Sequence, residues 1–358
     1  MVWVEERGKR QVRIWLYAVA VMIVGMILLG GLTRLTDSGL SIVEWRVVMG
    51  VIPPLSDADW QKAFEQYKEF PQYREHFPNM RMDEFKFIFL MEYSHRLLGR
   101  LIGMVFFLPF VFFVWKGWLR KPFLLRCMGL FFLGGLQGFV GWIMVKSGLV
   151  DIPRVDHLRL TLHLGLAILV LSLTLWYAYR LSFPVLSKDA APVASMGKWP
   201  MIVMAAVGFQ IVTGGMVAGL RAGFAFNTWP TMNGVWVPKS IWSYSSLSQN
   251  LFENPVFIQF FHRWFAMAVA TLVVFFVFKF WKKDRVGRLK IARILLLTLT
   301  LAQVLLGIGT LVMRVPISLA SLHQMGAVLL MVVLLFFCQQ VYEANQIRNS
   351  PDRTQGSS

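Results

Sequence analysis

In Glu92-Tyr93-Ser94-His95-Arg96, three chargeable side chains open an apolar run that continues from Leu97 to Trp115. A run of about 20 residues is what crosses the hydrocarbon layer of a bilayer as a helix, so the stretch predicts a membrane span with ionisable groups just inside it. Such groups are expensive at membrane depth, face a bundle interior and mark a functional site. The cluster has a later partner. Gln259-Phe260-Phe261-His262-Arg263 opens another apolar run and repeats the His-Arg pair, with glutamine replacing the glutamate three residues upstream of the histidine.

The rest of the chain follows the same pattern. Of its 358 residues 56% are hydrophobic and 15% charged, and the apolar excess lies in long runs, which excludes a single packed soluble core. Spans are predicted near 14–32, 88–114, 127–145, 158–179, 200–219, 257–278, 292–312 and 321–342. Backbone donors and acceptors cannot stay unpaired in lipid, so each is a helix. The fold class expected is an all-α integral membrane protein with eight transmembrane helices.

A net charge of +17 raises the question of a nucleic-acid partner, but the placement of the charge argues against one. Arg7, Lys9, Arg10 and Arg13 precede the first span, Lys116, Arg120, Lys121 and Arg126 follow the second, and a third cluster including Lys279, Lys282, Lys283 and Arg285 follows the sixth. All fall on one side, as do Arg180, Lys188 and Lys198, so the positive-inside rule makes these loops and both termini cytoplasmic. The first span lacks a small-residue cleavage site and reads as a retained helix. Glu5 and Glu6 do not suit a transit peptide, so a bacterial cytoplasmic membrane is expected ahead of the mitochondrial inner membrane. Cys127 and Cys338 lie at predicted cytoplasmic helix ends and are poor candidates for an external disulfide or a metal pair.

Internal repetition organises the spans. Gly30-Gly31 is echoed by Gly214-Gly215, His95-Arg96 by His262-Arg263, Leu136-Gln137-Gly138 by Ala302-Gln303, and His163-Leu164-Gly165 by His323-Gln324-Met325-Gly326. The expectation is two pseudo-symmetric four-helix bundles, residues 1–185 and 186–358, in parallel orientation about an axis along the membrane normal. The external loop 33–87 is predicted to carry a short amphipathic helix over Asp57 to Tyr67. The loop near 220–255 holds Trp229, Trp236 and Trp242, which suit an interfacial anchor or a functional lid. The tail after Tyr342 is polar and expected to fray.

Four of the six histidines recur in register: His95, His163, His262 and His323, each within two turns of the start of an even-numbered predicted span. That places all four imidazoles in one leaflet, two in each half. Any one of them alone reads as an interfacial residue bonded to a neighbour. Their recurrence across a repeat points instead to axial ligation of haem iron by facing helices, His95 with His163 and His262 with His323. Zinc or copper is disfavoured, because no cysteine or dense carboxylate cluster accompanies the pairs. His157 is the rival ligand, and His76 reads as solvated. Arg96 and Arg263 suit haem propionates or structural ion pairs. Gly99, Gly103, Gly165 and Gly326 suit close approach of a macrocycle or of another helix. The Glu92/Gln259 mismatch suggests one pocket with a fixed cofactor and one that reacts, Glu92 serving as a base or stabilising developing positive charge. The alternative is an interfacial acid paired with Arg96.

Gly30-Gly-Leu-Thr-Arg-Leu-Thr-Asp-Ser-Gly-Leu-Ser, Glu92-Tyr-Ser-His-Arg, Gly141-Trp-Ile-Met-Val-Lys-Ser-Gly-Leu, Phe260-Phe-His-Arg and Leu322-His-Gln-Met-Gly together resemble haem A synthase, the membrane enzyme that converts haem O to haem A for cytochrome oxidase. The resemblance runs from the first span to the eighth and is closest to the branch without paired loop cysteines, shared by mitochondria and proteobacteria. It implies oxidation of the C8 methyl of haem O to a formyl group by successive hydroxylations. It also implies haem b on His262 and His323, the substrate haem near His95 and His163, and Glu92 as the essential carboxylate. The partners it implies are the lipid bilayer, a haem O synthase and cytochrome oxidase assembly factors; a homo-oligomer is left open. Two non-enzymatic readings stand beside it: a dihaem b-type electron carrier, and a haem-delivery or assembly factor.

Overall fold

The computed structural model describes residues 3–43, 52–148, 154–281 and 287–349. Among these the chain forms twelve α-helices: α1 Glu6–Leu35, α2 Asp57–Lys68, α3 Pro71–His76, α4 Met82–Trp115, α5 Lys121–Gly148, α6 His157–Ser182, α7 Ser187–Ala194, α8 Trp199–Gly219, α9 Leu247–Phe252, α10 Pro255–Lys279, α11 Gly287–Val312 and α12 Ile317–Arg348. Eight of them, α1, α4, α5, α6, α8, α10, α11 and α12, are long and apolar enough to cross a membrane. Every one contains a predicted span, so the all-α, eight-helix membrane fold expected from hydropathy is the fold observed. Large side chains such as Phe132 (68% exposed) and Leu301 (64% exposed) point outward from these helices. In water they would form an adhesive patch; in a bilayer, lipid tails solvate them.

The helices outrun their apolar cores. α4 begins at Met82, inside the segment expected to be loop, because its first turns are amphipathic: Asp83 and Glu84 face outward while Phe85, Ile88 and Phe89 are buried against Phe64 and Tyr67 of α2. Each such ring or branched chain removed from water is worth about 1.5–3 kcal/mol, enough to extend a helix past the end of its hydropathy signal. The predicted amphipathic helix over Asp57 to Tyr67 is α2. Its Ser56 cap receives the Asp59 amide, and Asp59 returns the bond to the Ser56 amide, a closed capping box.

The tail is a correction. Beyond Tyr342, α12 continues to Arg348 where fraying was expected, since Glu343 pairs with Arg180 at 2.9 Å and Ala344 is fully buried. Of the third basic cluster, Lys282, Lys283 and Arg285 lie outside the described residues.

The chain divides into two compact units, one of Met1–Leu171 with Gly215–Ala222, the other of Ser172–Gly214 with Gly223–Ser358. In the first, α1 packs along α4, with the Trp15 indole donating to the Val105 carbonyl at 2.9 Å between Phe106 and Phe113. Arg34 in the last turn of α1 donates to the Ala218 and Gly219 carbonyls at the end of α8. Just past these two helix ends, Asp37 and Arg221 both take a left-handed φ of 53° and pair with each other. In the second unit α12 packs on α7 and α11. There Phe276 meets Phe337 edge-on at 5.5 Å, and Gln340 donates to the Phe183 carbonyl.

Candidate functional site: two histidine pairs

His95 lies on α4, His163 on α6, His262 on α10 and His323 on α12. Three of them fall about two turns into their helices. His95 lies deeper, because α4 starts earlier than its apolar run. Within the first unit His95 and His163 are close enough to interact electrostatically, and within the second His262 and His323 are. His157 sits instead beside Asp156, with its Nδ1 3.9 Å from the carboxylate, and its Cα and Cβ pack on Gly219. His76 ends α3 and is exposed.

What fixes each ring comes from the preceding membrane helix. A glycine there faces each imidazole: a Cβ on Gly30 would stand 3.3 Å from His95 Nε2, on Gly141 2.9 Å from His163 Cε1, on Gly214 3.3 Å from His262 Cε1, and on Gly307 2.8 Å from His323 Cε1. Any larger residue would crowd the ring. One turn before three of these glycines stands a glutamine whose amide reaches the backbone of the histidine: Gln137 donates to the His163 carbonyl at 3.0 Å, Gln210 to that of His262 at 3.0 Å, and Gln303 to that of His323 at 2.8 Å. A side-chain amide that finds a partner in a low-dielectric bundle resists being pulled away from it. Gln303 also explains Gly326, where a Cβ would meet its Oε1 at 2.2 Å; Gly103 and Gly165 face open space. Thr213 adds a contact to His262 Nδ1 at 2.8 Å. Sequence reasoning noted Gln137 and Gln303 only as repeat markers. The Gln-x-x-x-Gly spacing at 137/141, 210/214 and 303/307 was the available signal.

The donor set suits a haem iron. Among the described residues no group of three His, Cys, Asp or Glu side chains is placed to hold a metal, whereas two imidazoles from facing helices are a complete axial set. The Nδ1 atoms of His163 and His323 are buried with no hydrogen-bond partner, a costly arrangement for a buried polar ring.

Glu92 and Gln259 do related work on loop segments of opposite polarity. The Glu92 carboxylate, 3% exposed, accepts from the Ser41 amide at 2.7 Å, the Ser41 hydroxyl at 2.7 Å and the Ile42 amide at 2.9 Å, all on Oε2. Arg96 donates to its Oε1 at 2.6 Å and to the Ile42 carbonyl at 3.0 Å. In the second unit the loop presents carbonyls: Gln259 donates to Phe226 at 3.0 Å, and Arg263 to Phe226 at 2.7 Å and Thr228 at 2.9 Å. A carboxylate only accepts and an amide can donate, so each residue matches its loop. The Glu92–Arg96 ion pair read as the bland alternative is present, and the carboxylate also stands one turn from His95.

Comparison with known proteins places these features in a family. A family profile described as cytochrome oxidase assembly protein matches residues 13–335. A protein of Nitrosospira multiformis named haem A synthase is 43% identical over 333 residues, 92% of each chain. One of that name from Azorhizobium caulinodans is 45% identical over 334 residues, 93% of this chain and 94% of the other. Another from Paramagnetospirillum magneticum is 46% identical over 331 residues, 91% and 92% of the two chains.

Proposed function

The chain belongs to the COX15-CtaA family, and on that premise we propose that it is a haem A synthase, a multi-pass membrane oxidoreductase that oxidises the C8 methyl of haem O to the formyl group of haem A for cytochrome oxidase. The observation that carries the reading at the level of the site is the recurrence, in both units, of two imidazoles faced by glycines.

His262 and His323 hold a resident haem b, and His95 and His163 flank the substrate haem O. A haem held there would supply the redox chemistry; the protein's own residues supply position and field. Glu92 fixes Ser41 and Ile42 and sets negative charge one turn from His95, where it stabilises positive charge as the methyl is oxidised. Arg96 holds the same loop. Arg263 holds its counterpart in the second unit, and its Nε, buried without a partner, suits a haem propionate. The relatives compared are bacterial. We accordingly assign the protein to a bacterial cytoplasmic membrane with both termini inside, the side its basic clusters predict, receiving substrate from a haem O synthase and working with cytochrome oxidase assembly factors.

Pigment extraction after expression with a haem O source tests the reading. Formyl-haem in the extract is the expected result. Unchanged haem from a folded, haem-loaded preparation would make the protein an electron carrier or a delivery factor instead.

A further inference from the structure

The long loops after α1 and α8 hold corresponding places in the repeat and differ in chemistry. Residues 52–81 of the first carry nine Asp, Glu, Lys or Arg side chains, whereas residues 223–254 of the second carry two, Lys239 and Glu253. What the second loop exposes is apolar: Val235, Trp236 and Val237 are 49%, 56% and 58% exposed, and Trp242 is 56% exposed. The first three open the returning arm of a hairpin. Met232 and Val235 bridge across its turn, and Asn233 and Gly234 take the positive φ, 53° and 87°, that a tight two-residue turn requires. The hairpin lies back along α10. Arg263 donates to the Phe226 and Thr228 carbonyls, and the Trp236 ring sits 6.0 Å from that of Trp264. Trp264 stands nine residues beyond Pro255, the first residue of α10. At 1.5 Å of rise per residue the chain has therefore turned back roughly 13 Å along the helix, to about the level of His262. Trp242 continues a neighbouring row: it meets Phe257 at 5.4 Å, and Phe257, Phe261 and Phe265 stack in turn at 6.1 and 5.6 Å.

We propose that this hairpin is seated in lipid: Val235, Trp236 and Val237 enter the boundary between headgroups and hydrocarbon in the leaflet on that side and anchor the loop there. α10 is long and apolar enough to cross the membrane, and Trp264, 44% exposed on it, is continuous with the hairpin through Trp236. The surface that lipid covers on the helix thus runs on to the loop without a break. Facing water, Val-Trp-Val would be an adhesive patch; at the boundary, an indole finds both an apolar and a wet side. The backbone suits the same place. Unpaired amides and carbonyls are costly where water is scarce, and the hairpin satisfies many of its own. Met232 and Val235 exchange bonds at 2.8 and 3.3 Å, the Asn233 amide donates to Thr228 Oγ1 at 2.7 Å, and that hydroxyl donates to the Thr231 carbonyl at 2.7 Å. With one lysine and one glutamate in the loop, burial of apolar surface and not attraction to anionic headgroups drives the seating, so salt leaves it unchanged. The α2 helix of the first loop, with Lys62 and Glu65 exposed on it, stays in water. Seating in lipid depends on the spans and not on haem, so it stands whatever the histidine pairs hold.

The test uses the full chain in nanodiscs of phosphatidylcholine, a lipid without net charge. Val237→Cys is labelled with an environment-sensitive fluorophore; Cys127 and Cys338 are buried, and the unsubstituted chain serves as the blank. Lys62→Cys, exposed on α2, is the reference for a label in water. At position 237 the emission should be blue-shifted from that reference. A lipid carrying a nitroxide near its headgroup should quench it several-fold more strongly than aqueous iodide does, with the order reversed at position 62. Raising the salt concentration should leave the lipid quenching at 237 unchanged. Where Val237→Cys does not fold, Val235→Cys in the same arm decides the matter. A label at 237 that behaves like the one at 62 would overturn the proposal by placing the hairpin in water. A label reached by neither quencher would overturn it by placing the hairpin against protein, a second copy or another partner. Lipid quenching lost at high salt would overturn the apolar mode of seating.

Discussion

Glu92→Gln is the substitution with the most to say, because the structure fixes both its energetic and its catalytic consequences. The new amide keeps one oxygen for the Ser41 and Ile42 donors, but its NH2 then faces the Arg96 guanidinium, donor against donor. Arg96, whose side chain is 13% exposed, loses its counter-charge in a buried setting. Removing one partner of a buried ion pair costs about 3–5 kcal/mol, and the surviving loop bonds offset part of that. A net loss of about 3 kcal/mol raises the local opening of the loop by roughly two orders of magnitude. The Ser41 and Ile42 amides report this directly, since they are themselves donors to the carboxylate. Hydrogen exchange followed by mass spectrometry should show peptides covering them exchanging roughly a hundredfold faster. In the same preparation haem A yield should fall and the haem b spectrum should stay largely intact. Unchanged protection at Ser41 and Ile42 would refute the clamp, and loss of the haem b spectrum would refute the assignment of Glu92 to the substrate pocket.

Three further outcomes are expected. His262→Met or His323→Met should alter the absorption of the resident haem, and an unaltered spectrum would remove them as ligands. Gly307→Ala should distort the same spectrum, because the added Cβ meets the His323 ring at 2.8 Å; circular dichroism should show the helices intact, since alanine favours a helix by about 1 kcal/mol over glycine, and a normal haem spectrum would mean that the ring has room to shift. Burial, with Glu92 and Asp37 behind it, raises the Tyr67 phenol above its ordinary range. The stability it contributes is therefore fully present below about pH 10 and lost as pH rises beyond; alkaline melts of the external segment should show this loss in the wild type and lack it in Tyr67→Phe, and identical profiles would discount the effect.

The eight spans and the four histidines were legible because membrane helices must be long and apolar and because a repeat exposes what does not vary at random. The start of α4 was not, since Asp83, Glu84 and Lys86 break the hydropathy signal while Phe85 and Phe89 find their partners in another helix. The α12 tail was hidden for a similar reason: Glu343 reads as solvent-facing until Arg180, far away in sequence, is seen beside it. Glu92 against Gln259 was legible as an asymmetry but not as a fit to loop polarity, because nothing near residue 92 in sequence says that amide hydrogens, not carbonyls, will lie over it. The glutamines were readable as a spaced motif, but their purpose depends on a backbone carbonyl across a helix interface.

The tie between Arg34 and the carbonyls of Ala218 and Gly219 has a bearing on biogenesis. A ribosome that has reached residue 185 has delivered six of the twelve helices, yet the groups that close off the end of the first one are still unmade. Only when translation passes the fifth membrane-crossing segment can that guanidinium find its acceptors and the aspartate at position 37 its arginine. Closure of the first unit is thereby made to wait on its own last-made piece, Gly215–Ala222.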